Sequence, residues 1–350
     1  MSAEPIQSGE RPDVSVVIVT HNGREQALTT LRSARAALGW AVAEWLVVDA
    51  GSTDGTPDAI EAAFADVRVL RRENRGFAAS NNVALPVARG RYVLLLNPDV
   101  EFAHGTLGEL VAAMDARPRL GIASVVQTDS AGDPLPSIRR HPSPLRTLGE
   151  ALFVNHLPGG RALQEPVAPG PRYERAGAAD WLVGAFLIAR AEAVAEVGPL
   201  DERFFLYAEE TDWCYRFGES GWEVGHVPVL TVVHHCGGGS DGPLKPQLTH
   251  SRILFARKHY GRAKAVAIRG ALVLGHALRA AASASLGLVA GARHRERARH
   301  EAAALKVALG APPPLGPYAA GGPPAGPPPG LAGVPAADAS TASARPLIRR

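Results

Sequence analysis

Apolar residues fall in short unbroken runs through the first third of the chain and in longer, interrupted stretches near its end. Residues 14–19 form a continuous β-branched run that stops at Thr20-His21-Asn22-Gly23. A run this short, with no polar alternation, predicts a strand buried on both faces, as in a parallel sheet. A helix is expected next, over residues 24–38. Residues 45–48 repeat the pattern and end in the turn-rich Asp49-Ala50-Gly51-Ser52-Thr53-Asp54-Gly55-Thr56, with Pro57 placed at a helix start. Residues 67–70 and 92–96 predict two more strands, with a helix over 78–88 between them. This alternation implies an α/β fold with a doubly wound sheet, whose ligand lies at the carboxyl ends of the strands.

The second half reads less evenly. Residues 121–126 predict a further strand, whereas 129–175 are rich in Pro, Gly and Arg with little periodicity and predict a long, partly ordered insertion. Order returns as a strand at 181–189, a short helix, the aromatic Phe204-Phe205-Leu206-Tyr207, and a late strand at 227–233 that ends in His234-His235. The apolar stretch 265–291 is interrupted by Arg269, His276 and Arg279, which predicts an amphipathic helix at a membrane interface rather than a span. The expected organisation is a disordered start at 1–12, an α/β domain at 13–240, a helical, membrane-associating segment at 241–310, and a disordered Pro/Gly/Ala-rich tail at 311–350.

Composition narrows the function classes. With 46% hydrophobic residues in 350, the chain buries a full core. Its 37 basic and 34 acidic residues leave a net charge of only +3, so nucleic acid is not an expected partner. Arg293 to His300 is locally basic, fitting either anionic headgroups or a solvated helix face. The two cysteines, Cys214 and Cys236, fit a reducing compartment, and the polar start carries no export pattern. The expected location is cytoplasmic, at the inner face of the plasma membrane.

Polar residues gather at the strand ends: Thr20, His21, Asp49, Asn97 and Asp99. Behind a buried strand, Asp49 can accept the N3–H of a uracil or thymine ring, or simply form a turn. Asn97-Pro98-Asp99 offers oxygens suited to a hard divalent ion, although the same tripeptide also makes ordinary turns. Glu209, Glu210 and Asp212 crowd three carboxylates beside Trp213 and Tyr215. Such crowding favours a raised proton affinity, as a general base needs, and equally describes an acidic first turn of a helix. His234 and His235 end the last strand, where an imidazole completes a metal shell or serves structure.

In this order the motifs resemble glycosyltransferase family 2, in the bacterial branch that includes rhamnosyltransferases. The resemblance rests on residues 14–22, on Val47-Val48-Asp49 with its Gly-Ser-Thr-Asp-Gly-Thr loop, on Glu73-Asn74-Arg75-Gly76-Phe77-Ala78-Ala79-Ser80-Asn81-Asn82, on Leu95-Leu96-Asn97-Pro98-Asp99, on Trp181 to Ile188, and on Phe204 to Arg216. It implies a GT-A fold and an inverting transfer from a nucleotide-diphosphate sugar, assisted by Mn²⁺ or Mg²⁺. It assigns Thr20, His21, Asp49, Asn74, Arg75, Asn81 and Asn97 to the donor, and Asp99 and His234 to the metal, with His235 as competitor. Gly184, Ala185, Glu209, Asp212 and Trp213 fall on the acceptor side, and Glu210 is the base. Two departures stand out: Glu210 occupies a position where Asp is usual, and Asn97 replaces the first Asp of the stricter metal motif. Ser137-Ile138-Arg139-Arg140-His141-Pro142 resembles a segment of the rhamnosyltransferase branch, implying dTDP-L-rhamnose as donor. UDP-hexose and UDP-galactofuranose are alternatives, and the implied acceptor is a glycan or a polyprenyl-linked sugar. Rival classes are a non-catalytic sugar-nucleotide or glycan binder and a sugar nucleotidyltransferase. The latter needs a Gly-rich basic loop after the first strand, of which Thr20 to Arg24 is a poor version.

Overall fold

The computed structural model describes residues 11–154, 157–235, 242–289 and 291–316. Most of both termini expected to be disordered, and Cys236, lie outside these residues. The chain opens with β1 (Val14–Thr20), α1 (Arg24–Ala36), β2 (Ala43–Ala50), α2 (Thr56–Ala63), β3 (Val67–Arg72), α3 (Phe77–Ala84) and β4 (Tyr92–Leu96), the alternation read from the hydrophobic runs. α3 stops short of residue 88 because Pro86 has no N–H to continue the ladder, and residues 85–87 tighten into a 3-10 turn. β5 (Val100–His104) and α4 (Leu107–Asp115) were not expected. A capping box starts α4: Thr106 Oγ1 accepts from the Glu109 N–H at 3.2 Å, and the Glu109 carboxylate accepts from the Thr106 N–H at 2.8 Å.

β6 (Leu120–Thr128) lies where expected, but the presumed irregular insertion is built. It contains β7 (Ile138–Arg139) and α5 (Pro144–Ala151), the latter capped by Ser143, whose hydroxyl accepts from the Arg146 N–H. Tyr173 holds the segment together, its hydroxyl accepting from the Ile138 N–H at 2.9 Å and donating to the Val167 carbonyl at 3.0 Å. After β8 (Gly177–Ala178), the single strand expected at 181–189 divides into β9 (Trp181–Leu182), which pairs with β7, and β10 (Phe186–Arg190), which enters the main sheet. The remaining elements are α6 (Ala191–Val197), α7 (Glu209–Glu219), β11 (Glu223–His234), α8 (Lys245–His259), α9 (Arg262–Val289) and α10 (Ala292–Leu309).

The main sheet runs β3-β2-β1-β4-β10-β6-β11-β5, with β8 paired to β11. It is mostly parallel. β10 is reversed against both β4 and β6, and β5 is reversed against β11. These reversals position the site, because the residues entering a reversed strand lie at the edge where its parallel neighbours end. Alternate residues fill opposite faces: Val16, Ile18, Leu94 and Ile188 pack into one core, Val17, Leu95 and Leu187 into the other, where Trp213 and Phe217 cover them.

Helices α8, α9 and α10 pack on one another and on α5. Among the described residues α9 is the one helix long and apolar enough, by length and composition, to cross a membrane. The polar residues that interrupt it are internal ties. Arg269 Nε donates to the Ala308 carbonyl at 2.7 Å, His276 Nδ1 meets Glu301 Oε2 at 2.7 Å, and Arg279 donates to the Glu150 carbonyl at 2.7 Å. Residues 311–316, expected to be disordered, also pack: the Ala311 N–H donates to the Lys306 carbonyl and the Leu315 N–H to Gln247 Oε1. At the other end Pro12, likewise expected to be disordered, accepts from the Arg91 N–H at 3.0 Å.

One close approach joins distant motifs. Gly76, at φ +94° and ψ 172°, occupies a region essentially restricted to glycine, and a Cβ there would lie 2.3 Å from the Phe205 carbonyl oxygen. That oxygen accepts from the Phe77 N–H at 2.8 Å. Gly76→Ala is therefore expected to cost about 2–4 kcal/mol, from backbone strain plus displacement of the 204–207 segment. Urea unfolding checks this, and a midpoint equal to that of the wild type would contradict the lock.

Candidate active site

The donor side forms where β1 and β2 end in register, Thr20 beside Asp49. Both are buried. Asp49 is only 3% exposed; its Oδ2 accepts from the Ser52 N–H at 3.0 Å, whereas its Oδ1 has no partner, like the Thr20 hydroxyl. A buried acceptor left unsatisfied is costly, so this pair is poised for a donor group brought by a ligand. The loops around it are stitched together by Asn22, which adopts a left-handed conformation at φ 51°. Its Oδ1 accepts from the Thr53 N–H at 2.8 Å, and its own N–H donates to Ser52 Oγ at 2.9 Å. His21 is exposed, with Nδ1 held 2.8 Å from the Ala50 carbonyl oxygen; that contact requires the proton on Nδ1.

The next motif is more structural than its assignment to the donor implies. Asn74 Oδ1 accepts from the Gly76 N–H, Arg75 is exposed 3.8 Å from Glu202, and Asn81 is buried with Nδ2 donating to the Phe77 carbonyl. Asn81 Oδ1 has no partner. These contacts shape the α3 entry, and Asn74 and Asn81 spend polar groups on their own backbone.

At the β4 end, the half-buried Asn97 donates its backbone N–H to the Ala185 carbonyl at 2.9 Å, so reversed β10 delivers Gly184 and Ala185 to the donor edge. β5 pairs Val100 with His234, which brings the preceding Asp99 to the end of β11. His234 Nε2 lies 3.5 Å from Asp99 Oδ2 and both side chains are nearly buried. His235 turns elsewhere: its ring lies 2.9 Å from Glu101 Oε1 and 3.0 Å from Ser130 Oγ. Of the two histidines, only His234 converges on Asp99. One carboxylate and one imidazole fit a divalent ion that keeps open positions for substrate oxygens. Among the described residues there is no group of three or more His, Cys, Asp or Glu that would make a closed metal site.

The acidic segment is sharply differentiated. Tyr207 and Ala208 are both left-handed, at φ 69° and 65°, a strained pair that turns the chain into α7. Gly184 packs against Glu210, since a Cβ on it would lie 3.4 Å from the Glu210 Cβ. Glu209 and Glu210 each keep one buried carboxylate oxygen without a partner. Burial, reinforced by the charge on Glu210, holds the Glu209 carboxyl well above the ordinary range. Burial also pushes Glu210 up to about 7, opposed by its own backbone N–H and by the nearby Arg139 guanidinium. Both carboxyls are thus raised, and the two titrate as a pair. The causes differ from those expected: burial, not crowding by Asp212, raises Glu210.

Asp212 and Trp213, expected on the acceptor side, are structural. Asp212 is fully buried, contacting Arg216 Nε at 2.9 Å and Lys258 Nζ and His259 Nε2 at 2.6 Å each. Burial alone would raise its carboxyl, but these partners hold it below its usual value. Trp213 is fully buried in the core under the sheet, its indole N–H donating to the Gly198 carbonyl at 2.9 Å. Cys214 is a buried free thiol pushed up to about 12, chiefly by burial. Two of the three residues that clamp Asp212 come from α8 and escaped the sequence reading, since nothing local marks Lys258 and His259 as partners of a carboxylate so far upstream. Arg139 was noted only as a motif residue. It is largely enclosed, its guanidinium 5.6 Å from the Trp181 ring, its Nε donating to the Pro136 carbonyl, and no carboxylate is within ion-pair distance among the described residues.

Residues 15–164 match the family described as Glycosyl transferase family 2. N-acetylglucosaminyl-diphospho-decaprenol L-rhamnosyltransferase of Mycobacterium tuberculosis is 32% identical over 206 residues, covering 54% of this chain and 66% of that protein. Rhamnosyltransferase WbbL of Escherichia coli is 23% identical, covering 46% of this chain and 61% of its own. The chain therefore spans just under two thirds of the length of these relatives. Among solved structures, the mannosyltransferase PcManGT of Pyrobaculum calidifontis, in complex with GDP-Man and Mn²⁺, superposes with a TM-score of 0.52 at 18% identity, over 86% of this chain and 87% of that one. GalNAc-T7, solved with UDP, GalNAc and Mn²⁺, gives a TM-score of 0.51 at 16% identity, over 70% of this chain and 48% of its own. The mixed, mostly parallel sheet is thus of the GT-A type, and the first half of the chain, residues 15–164, carries the match to glycosyltransferase family 2.

Proposed function

We propose that this glycosyltransferase is a divalent-metal-dependent, inverting enzyme that moves L-rhamnose from dTDP-rhamnose to a polyprenyl-linked glycan acceptor in cell-wall or polysaccharide synthesis. The observation that carries the reading is the arrangement of charge. Asp99 and His234 converge at one strand edge, and Glu210, one member of a buried carboxyl pair, packs on Gly184 where β10 reaches the same edge. Asp49 Oδ1 accepts the N3–H of the donor's pyrimidine, and the Thr20 hydroxyl donates to a ring carbonyl beside it, which supplies the partner each lacks. Asp99 and His234 are the protein groups that would hold Mn²⁺ or Mg²⁺, and such an ion would supply positive charge towards the diphosphate. Glu210 takes the proton of the acceptor hydroxyl as that oxygen bonds to the anomeric carbon and the bond to the nucleotide diphosphate breaks. Attack from the face opposite the leaving group inverts the configuration. A sugar-nucleotide binder without turnover has no use for a buried carboxyl poised near neutrality.

The donor sugar rests on the two rhamnosyltransferases among the relatives and on Arg139 beside the base. The lipid-linked acceptor follows the decaprenyl substrate named for the M. tuberculosis relative, and such an acceptor accords with the proposal that catalysis occurs at the cytoplasmic face of the plasma membrane. The Mn²⁺ in the mannosyltransferase complex accords with the metal requirement.

Three outcomes are expected. Turnover of dTDP-rhamnose should exceed that of UDP-glucose and UDP-galactofuranose, and should vanish in excess chelator. Asp99→Asn should weaken metal-dependent nucleotide binding, measured by calorimetry with and without Mn²⁺; undiminished binding would remove Asp99 from the site. Glu210→Gln should lower kcat by about 10²- to 10⁴-fold while the donor Kd is unchanged, with Glu209→Gln as control.

The pH profile tests the same base independently. Glu210 acts ionised, so kcat should fall on the acid side of about pH 7. Arg139→Gln removes a charge that favours the ionised form and should move this limb to higher pH. A limb unmoved by that change, or still present in Glu210→Gln, would assign the titration to another group.

A further inference from the structure

Away from the strand edge, α5, α8, α9 and α10 enclose a cavity of about 200 Å³. Four cations line it, Lys245, Arg252, Arg279 and Arg297, against two carboxylates, Glu150 and Glu301. Lys245 pairs with Glu301 at 2.7 Å and Arg252 with Glu150 at 3.3 Å. Arg252 also pairs with the neighbouring Glu165, so three acids meet two of the four cations. Arg279 reaches only a backbone carbonyl and the Phe153 ring, 5.2 Å from its guanidinium, and neither Arg279 nor Arg297 meets a carboxylate among the described residues. Arg252 Nε is buried without a partner. The lining therefore carries uncompensated positive charge, which suits a phosphate.

The helices beside this cavity leave leucines exposed, although α9 also buries Ile268, Ala271 and Leu272 against α8 and α10. α5 turns Thr147, Gly149 and Ala151 inward and exposes Leu145, Leu148 and Leu152. α9 buries His276 and Ser283 while exposing Leu274, Leu278, Leu286 and Leu288, the last at 88%. The two helices touch where Gly275 meets Ala151, so the exposed leucines flank the Arg279–Phe153 contact at the cavity. An apolar face bordering a cationic hollow is complementary to one partner, a bilayer with anionic headgroups.

We propose that the α5–α9 face docks on an acidic phospholipid surface, with a headgroup phosphate seated in the cavity between Arg279 and Arg297. This deepens the membrane location proposed above and is independent of the transfer chemistry. It enlarges the segment expected from sequence by adding α5. The cavity lining is tied to the rest of the molecule through Arg252, which pairs with Glu165, whose backbone carbonyl accepts from the Arg140 N–H.

The test is flotation of the full chain with phosphatidylcholine vesicles, with and without phosphatidylglycerol. Binding should require phosphatidylglycerol and be released by high salt. Arg279→Gln with Arg297→Gln should lower partitioning at least tenfold, and so should Leu148→Ser with Leu152→Ser, at positions 38% and 48% exposed, with thermal unfolding as the check that the fold is kept. Thermal unfolding and dTDP-rhamnose binding, read in parallel, should match the wild type. Wild-type binding that is absent overturns both the docking and the membrane location. Binding that the arginine pair leaves unchanged overturns the cavity, and binding that the leucine pair leaves unchanged overturns the face. Stabilisation by inorganic phosphate without vesicle binding assigns the cavity to a soluble anion and overturns lipid docking. None of these outcomes bears on whether Glu210 is the base.

Discussion

The burial of Asp212 among Arg216, Lys258 and His259 is the interaction on which the site depends. An ionised carboxylate with no solvent exposure is tolerated only because charged partners surround it, and removing any of them would leave charge uncompensated in the interior. Two of the three come from α8, so the first turn of α7 cannot form its native contacts until the helix that follows the sheet has docked. Phe255 of α8 packs against Phe204 and Ala208, and Ser251 donates to the Leu206 carbonyl at 2.9 Å. The backbone that presents Glu209 and Glu210 is thereby held from both sides, by Gly76 and by α8. This over-determination lets the left-handed pair Tyr207 and Ala208 persist.

With Asp212 neutralised by its own partners, the two glutamates are left to each other. Like charges this close resist double ionisation, and burial raises both carboxyls, that of Glu209 further through the charge on Glu210. Arg139 provides the remaining bias towards ionisation of Glu210, and it comes from a segment that the sheet alone would not bring near α7. The β7–β9 pairing does so, setting Arg139 across from Trp181 just before the turn through Gly184.

The parallel half of the fold was legible because its strands are buried on both faces and read as unbroken apolar runs; β1, β2 and β4 fall where those runs predict. β5 was not legible because it lies at a sheet edge with most of its residues half-buried or exposed, leaving no apolar run. α5 was missed for a related reason: its leucines face outward, so the expected rule that apolar residues mark the core failed there. Asp49 and Asp99 were legible as strand-end acids, whereas the structural burial of Asp212 and Trp213 depended on α8 and on the underside of the sheet, which no local spacing reveals. The choice between His234 and His235 was open for the same reason. It turns on the register between β5 and β11, which places Val100 opposite His234 and turns its neighbour towards Glu101.

Register also explains how a metal-dependent reading is compatible with so small a protein ligand set. A closed site would need three or four side chains fixed by the fold, and the strand edge supplies two that converge. An ion held by one carboxylate and one imidazole keeps most of its coordination for substrate oxygens, so its affinity depends on whether a diphosphate is present. The same economy applies at Asp49 and Thr20, where buried acceptors lack partners until a base arrives. Both halves of the donor site are thus incomplete in the same sense, each lacking what the nucleotide sugar carries. On the proposed metal-dependent reading, metal and donor binding would be thermodynamically linked: whatever free energy the diphosphate adds to metal binding, the metal would add equally to donor binding.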